Sequence, residues 1–390
     1  MKIAIVGTRG IPNHYGGFEQ FASFLSVGLA DKGHQVVVYN SHDHPYQGKS
    51  WNNVEIVHCY NPEKQLGSAA QFIYDLNCIM DARKRKFDVL LLLGYTSISI
   101  WGKLFPKDSV VIINMDGLEW KRAKFSKPVQ KFLKWAEKLA IRFCDFYIAD
   151  SLKIQAYLNE KYKIKSKYIP YGAEVFSTEE EKELLEYNIG KYEYCLFLAR
   201  IVPENNIEIV LDGFQASKST KKMIVVGSVD NSFGKYIKKK FSIDSRIQFI
   251  GAQYDAEKIH VLKAFSFLYF HGNSVGGTNP SLLEAMASRA LIAAHENPFN
   301  RSVLNENAFY FSSSSEVTQL IETTKRNGHE IQRIQNNLDR IKNDFTWENI
   351  IDQYERFMLE CVREPGFTGS ARPPIPWVLK NKPQGQRMDI

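Results

Sequence analysis

Apolar positions fall into short continuous runs separated by amphipathic stretches, and the two alternate along most of the chain. Lys2–Val6 is one such run, ending at Gly7. Gln35–Tyr39, Val89–Leu93, Val110–Asn114, Phe146–Ala149 and Tyr168–Ile169 repeat it. Runs without polar alternation suit parallel strands covered on both faces. Between the first two, residues 17–32 carry apolar positions at helical spacing and stop at Gly33. This half reads as a doubly wound α/β unit.

A polar segment, Ser177 to Glu186, contains Glu179-Glu180-Glu181 and reads as part of a linker. The alternation then restarts. Strands are expected at Tyr194–Leu198, Met223–Val226, Ile247–Ile250, Phe267–Phe270 and Leu291–Ala294, with helices over about 207–216 and 280–287. A last helix is expected over 344–361, with Trp347, Ile351, Tyr354 and Phe357 at helical spacing. From Pro365 the chain is rich in proline, glycine and polar residues, which predicts a mobile tail. The expected organisation is a first domain over 1–175, a second over 190–345, a helix over 346–362 and a tail over 365–390. Two such halves turn the carboxyl ends of their strands towards a shared cleft, where open α/β sheets bind ligands.

Length and composition agree. A chain of 390 residues exceeds one ordinary core, and 44% hydrophobic with 24% charged residues is the balance of a soluble globular protein. No apolar stretch reaches the roughly 18 residues needed to span a bilayer. The first residues lack the pattern of a signal peptide. Five scattered cysteines (Cys59, Cys78, Cys144, Cys195, Cys361) form no CxxC and read as reduced thiols of a cytosolic protein, not a disulfide frame or zinc site. Charge is uneven: through Val175 there are 24 Lys+Arg against 16 Asp+Glu, and after it 26 against 27, a net of +8 and −1. The first half is therefore expected to face an anionic surface or substrate.

Two loops carry candidate chemistry. Phe270-His271-Gly272-Asn273-Ser274-Val275-Gly276-Gly277-Thr278-Asn279-Pro280 leads from an apolar run straight into a helix bearing Glu284. A helix N-terminus opening from such a loop offers unpaired N–H groups to a phosphate, and an acid a turn further in can accept from ribose hydroxyls. The segment reads as half of a nucleotide-sugar site. In the first half, Gly16-Gly17 opens the first helix, and Arg9 in the same loop is a candidate charged contact to an anion. The bland alternatives are a dinucleotide turn or a plain turn. The spacing does not fit GxGxxG, and the second strand ends in Tyr39-Asn40 without a ribose-binding acid. His14 reads as a surface loop residue, His271 as a buried residue satisfying backbone groups, and Glu119 with Arg122 as a surface pair. Lys127, Lys131, Lys134 and Lys138, with Arg142 after them, share one helical face, preceded by Lys121, Arg122 and Lys124. That face suits anionic lipid, or is simply solvated; no nucleic-acid motif accompanies it.

Five segments in order carry a family resemblance: Gly16-Gly17-Phe18-Glu19, Gly33-His34-Gln35-Val36, Ile169-Pro170-Tyr171-Gly172, Arg200-Ile201-Val202-Pro203-Glu204 and Pro280-Ser281-Leu282-Leu283-Glu284-Ala285-Met286-Ala287. Over residues 1–361 the chain resembles GT-B glycosyltransferases of family 4. Gly7-Thr8-Arg9-Gly10-Ile11-Pro12 and the loop 274–280 look like a bacterial subgroup that includes rhamnosyltransferases of capsule and exopolysaccharide assembly. The resemblance implies two Rossmann-like domains facing across a cleft, with a C-terminal helix returning to the first. It places Gly16, Gly17 and Arg200 at the donor diphosphate and Glu284 on the ribose, with Asp116 facing the transferred sugar. Two departures stand out. The first acid of the family's Glu-x7-Glu motif is replaced by Gly276, and the basic residue after Arg-x-x-x-Glu is Asn205. The phosphate would then lean on Arg200, Arg9 and the N–H groups of Gly277, Thr278 and Asn279, and the sugar would be a deoxy sugar.

The resemblance implies a retaining enzyme with no metal and no cofactor, and the absence of an Asp-x-Asp pair agrees. Arg200 and two helix N-termini would stabilise the leaving diphosphate. Asp116 would orient the acceptor or stabilise the cationic sugar, and Tyr95 and Thr96, after an apolar run, would line the acceptor side. The donor would be a dTDP- or UDP-sugar. The acceptor would hang on a polyprenyl diphosphate, at the inner face of the cell membrane. Rival readings are a nucleotide-sugar epimerase of the same architecture and a non-catalytic sugar-nucleotide sensor.

Overall fold

The computed structural model describes residues 1–364 except Tyr15, Ala123, Lys124, Glu179, Tyr254 and Val275. The expected tail, 365–390, lies outside the described residues, as does Lys124 of the basic segment.

The apolar runs form two sheets. The first contains β1 (Lys2–Val6), β2 (Gln35–Ser41), β3 (Ser50–Trp51), β4 (Val54–Cys59), β5 (Val89–Leu93), β6 (Val110–Asn114), β7 (Phe146–Ala149) and β8 (Ser166–Tyr168). Its order is β3-β4-β2-β1-β5-β6-β7-β8, parallel except for the β3–β4 edge hairpin. The second contains β9 (Tyr194–Leu198), β10 (Lys222–Val226), β11 (Ile247–Gly251), β12 (Leu268–His271), β13 (Ile292–His295) and β14 (Phe309–Phe311). Its order is β11-β10-β9-β12-β13-β14, all parallel. β1, β5 and β6 are buried on both faces, as their unbroken apolar runs demand. Strand order reverses at β1/β5 in the first sheet and at β9/β12 in the second, so each sheet has one switch point. The fold is GT-B: two parallel-sheet halves facing across a cleft.

The expected last helix forms as Trp347–Arg363, and a further helix that the sequence reading did not predict precedes it. Gly328–Asp344 ends at Phe345, and Trp347–Arg363 begins anew where the Thr346 hydroxyl accepts from the Asn349 N–H at 3.3 Å. The chain turns at that point because it must leave the second half. The Ala173 N–H donates to the Phe345 carbonyl at 2.7 Å, and the Trp347–Arg363 helix then packs on the first helix, Gly17–Asp31. Phe24 stacks on Trp347 with ring centroids 4.5 Å apart, and Phe21 meets Tyr354 at 5.2 Å. Helix packing this close depends on Gly28, where an added Cβ would lie 2.4 Å from Ile351. All five cysteines are buried free thiols. Among the described residues no helix is long and apolar enough to cross a membrane.

Candidate active site

Both switch points open into the gap between the halves. The first helix starts after Gly16, whose extended backbone carries no side-chain cap, so its leading N–H groups face the gap. Opposite, the Pro280–Ala287 helix starts at Asn279, whose side chain accepts from the Ser281 N–H at 2.9 Å. The two ends nearly touch. A Cβ on Gly17 would lie 3.4 Å from Pro280, and one on Gly117 3.2 Å from Gly276. Between them is a cavity of about 270 Å³, walled on one side by Gly17, Phe18, Asp116, Arg122 and Tyr171. The other wall is Arg200, Asn273, Gly276 to Pro280, Asn297, Phe299 and Asn300. Gly17, Asp116, Arg200, Gly277, Thr278 and Asn279 are therefore brought together, with Gly16 as the residue capping the first helix.

Glu284 lies one turn into its helix and is bonded from two sides. Lys263, fully buried on the Ala256–Ala264 helix, pairs with it at 2.7 Å, and the Gln20 amide donates to its other oxygen at 3.2 Å across the gap. Burial works against its ionisation, but the Lys263 charge and hydrogen bond outweigh that and hold the carboxyl below its ordinary value.

Four expected site residues sit elsewhere. Arg9 turns away from the cavity and pairs with Glu63, while its backbone N–H donates to Glu19 at 2.8 Å. A guanidinium already held by a carboxylate finds its charge partner there. Asn205 is buried and donates its amide to the Arg200 carbonyl at 2.8 Å, so it shapes the Arg200 turn from behind. Tyr95 is buried beneath the 116–119 loop, its hydroxyl accepting from the Glu119 N–H at 3.2 Å. Thr96 is half-buried and absent from the cavity wall.

Asp116 is the most constrained residue of the site. Its φ of 46° is left-handed, a conformation that aspartate tolerates better than most residues. Its N–H donates to Asn114 Oδ1 at 3.0 Å, and Asn114 Nδ2 donates to the Tyr354 hydroxyl at 3.0 Å. The returning helix thus reaches the floor of the site. Burial, then the neighbouring Glu119 charge, push the Asp116 carboxyl up to about 6, with Arg122 opposing.

Several site residues escaped the sequence reading. Arg122, taken there as half of a surface pair, does bond Glu119 at 2.7 Å, but its side chain is only 18% exposed and lines the cavity. Asp150, directly after β7, accepts from the Thr278 N–H at 3.1 Å, while the Thr278 hydroxyl donates to the Asp150 carbonyl. Burial first, and the Asp116 charge second, push its carboxyl well above the usual range. Its place at a strand's carboxyl end was the available signal. Asn297 and Asn300 both donate to the Asn273 carbonyl, at 3.0 and 3.1 Å, and so fix the loop that leads to Asn279. His271 is buried with neither ring nitrogen hydrogen-bonded among the described residues, which corrects the expectation that it satisfies backbone groups. Burial, with Lys263 and His295 nearby, holds its imidazole down to about 3, hence neutral.

Comparison with known proteins defines the class. Residues 179–337 match the family described as glycosyl transferases group 1, and residues 1–174 match a domain of unknown function, DUF1972. The second half thus carries a glycosyl transferases group 1 domain, on a chain with the GT-B fold. In structure it is similar to sucrose-phosphate synthase from Thermosynechococcus elongatus (TM-score 0.75, 16% identity, covering 92% of this chain and 98% of that one). It is also similar to Anabaena HepE, solved with UDP and glucose (0.73, 16%, 92% and 100%). A third likeness is to α,α-trehalose 6-phosphate synthase from Burkholderia multivorans (0.71, 11%, 92% and 96%). A sequence search of curated proteins found no match.

Proposed function

We propose that this chain is a retaining, metal-independent glycosyltransferase of the family 4 type. It moves a sugar, L-rhamnose in our reading, from a dTDP- or UDP-sugar to a polyprenyl-diphosphate-linked oligosaccharide at the inner face of the membrane, in bacterial surface-polysaccharide assembly. The observation that carries the reading is the convergence of two switch-point helix N-termini and Arg200 on one cavity. HepE, a structural neighbour, was solved with UDP-glucose, which supports a nucleotide-sugar donor.

In this mechanism Arg200 and the N–H groups of Gly17, Gly277 and Asn279 stabilise charge developing on the departing diphosphate, the Thr278 N–H being held by Asp150. The departing phosphate oxygen takes the acceptor hydroxyl's proton on the same face. Asp116, ionised, stabilises the cationic sugar. Glu284, kept charged by Lys263, holds the ribose once Gln20 yields its place. The half over 1–175 serves the acceptor and 190–345 the donor, with 346–362 bracing the first.

A thermal-shift screen of sugar nucleotides tests this, because a ligand that binds only the native state raises the melting temperature. dTDP-rhamnose is expected to give the largest rise. No rise with any sugar nucleotide overturns the proposal. Donor turnover without an acceptor replaces it with the epimerase reading.

A further inference from the structure

We propose that two neighbouring helices of the first half form a membrane-docking face whose apolar ridge enters the headgroup layer of an anionic bilayer. The inference rests on the lipid-linked acceptor proposed above and adds the surface and the residues that bring the enzyme to it. The helices are Ala70–Arg85 and Lys127–Phe143. Their inner faces share one core: Tyr74, Cys78 and Ile79 from the first and Ala136 and Ala140 from the second pack with β5 and β6. Both also rest on the 3-10 segment Ile98–Leu104, so they lie side by side on one flank.

Their outer faces are joined by aromatic rings. Phe72 meets Phe132 at 5.7 Å, and Phe132 meets Trp135 at 5.7 Å. Next to Phe72, Ile73 is exposed, and so is Met80, seven residues on and hence on the same helical face. Trp135 is 50% exposed. A single exposed apolar residue needs no explanation, but a joined ridge of them does.

Beside the ridge runs a stripe of one sign. Lys127, Lys131, Lys134, Lys138 and Arg142 are all exposed. The only acid of that helix, Glu137, is buried and bonded to Trp120 at 2.9 Å, Tyr157 at 2.7 Å and Lys161 at 2.9 Å. The outward face therefore presents cations with no compensating carboxylate of its own helix. This chemistry selects the partner. Cores of protein–protein interfaces are depleted in lysine. Tryptophan beside long lysine stems is what a headgroup layer accommodates, the stems lying along apolar surface while the ammonium groups meet lipid phosphates. The face also adjoins the site. Lys134 Nζ sits 4.1 Å from the Trp120 ring centroid, and Trp120 ends the loop that carries Asp116. An acceptor held in the bilayer thus meets the cavity from the side that rests on it.

The test uses the full chain with vesicles of phosphatidylcholine, with and without phosphatidylglycerol. Wild type is expected to sediment only with the anionic vesicles and to shift its tryptophan emission to shorter wavelength, the shift being absent in Trp135→Phe. Ile73→Glu with Trp135→Glu is expected to weaken vesicle binding about tenfold or more, with unchanged melting temperature and unchanged thermal shift by sugar nucleotides. Absence of sedimentation, or an emission shift that survives Trp135→Phe, overturns the inference. So does a concentration-dependent dimer, insensitive to vesicles and dispersed by Ile73→Glu, which would make the face a contact between copies. Failure of the glycosyltransferase reading shows separately, as absent donor binding, which vesicle sedimentation does not measure.

Discussion

Asp150 of the first half and Thr278 of the second are joined twice across the cleft, through the Thr278 N–H at 3.1 Å and through its hydroxyl. The bonded carboxylate lies against Gly277, where an added Cβ would come within 1.9 Å of Asp150 Oδ2. Gly277→Ala therefore cannot close on Asp150 without displacing it. Its donor KM is expected to rise about tenfold or more, with part of the loss relieved in the Gly277→Ala, Asp150→Ala double variant. Asp150→Asn keeps an acceptor oxygen for the N–H and is expected to stay near wild type. Steady-state kinetics with varied donor checks all three, and equal loss in Asp150→Asn and Asp150→Ala removes the positioning role.

Lys263 is fully buried with Glu284 as its charged partner. Removing one member of such a pair strands the other in a poorly solvated place. Lys263→Met is expected to cost about 3 kcal/mol of unfolding free energy, and adding Glu284→Gln to restore part of it. Urea denaturation measures both; additive losses would show that the two groups do not depend on each other.

A carboxyl raised to about 6 is protonated below that pH and ionised above it. If ionised Asp116 stabilises the sugar cation, kcat rises with pH through about 6, and that limb vanishes in Asp116→Asn. Stability runs the other way. The folded state holds the proton more tightly than the unfolded chain, so stability falls as pH rises from the ordinary carboxylate range to about 6 and then levels off. Asp116→Asn is thus expected to be more stable than wild type at neutral pH, by about 1–2 kcal/mol after allowing for partial solvent access. Melting temperatures at pH 5 and pH 7.5, on either side of that value, check the sign.

Tyr354 is the far anchor of the Asn114–Asp116 chain of hydrogen bonds. Tyr354→Phe leaves the ring packing and is expected to cost about 1 kcal/mol of stability. It should lower kcat while leaving donor affinity unchanged. A variant with wild-type kcat would show that Asp116 holds its left-handed turn unaided.

Much of the frame was legible because β1, β5, β6 and β9 are buried on both faces and so must be uniformly apolar. β4 was not: Glu55, exposed, and His58, half-buried against the Tyr46 carbonyl, break the run near a sheet edge, and β14 is only Phe309–Phe311. The site residues that local sequence marks, glycines before a helix and a basic residue after a strand, did converge on the cavity. Those that depend on folding did not announce themselves. Lys263 looks like any helical lysine until Glu284 is set beside it, and Gln20 and Asp150 acquire their contacts only when the halves meet. Arg9 misled for the converse reason: Glu63, distant in sequence, claims it.

The Trp347–Arg363 helix has a consequence for how this protein can be taken apart. Residues 1–175 and the Trp347–Arg363 helix build one half, with the second sheet threaded between them. The first half is consequently a discontinuous unit, and a chimera that exchanges only its leading 175 residues would give the foreign piece a mismatched brace at Phe21, Phe24 and Asn114. Specificity grafts onto this scaffold have to carry both segments together.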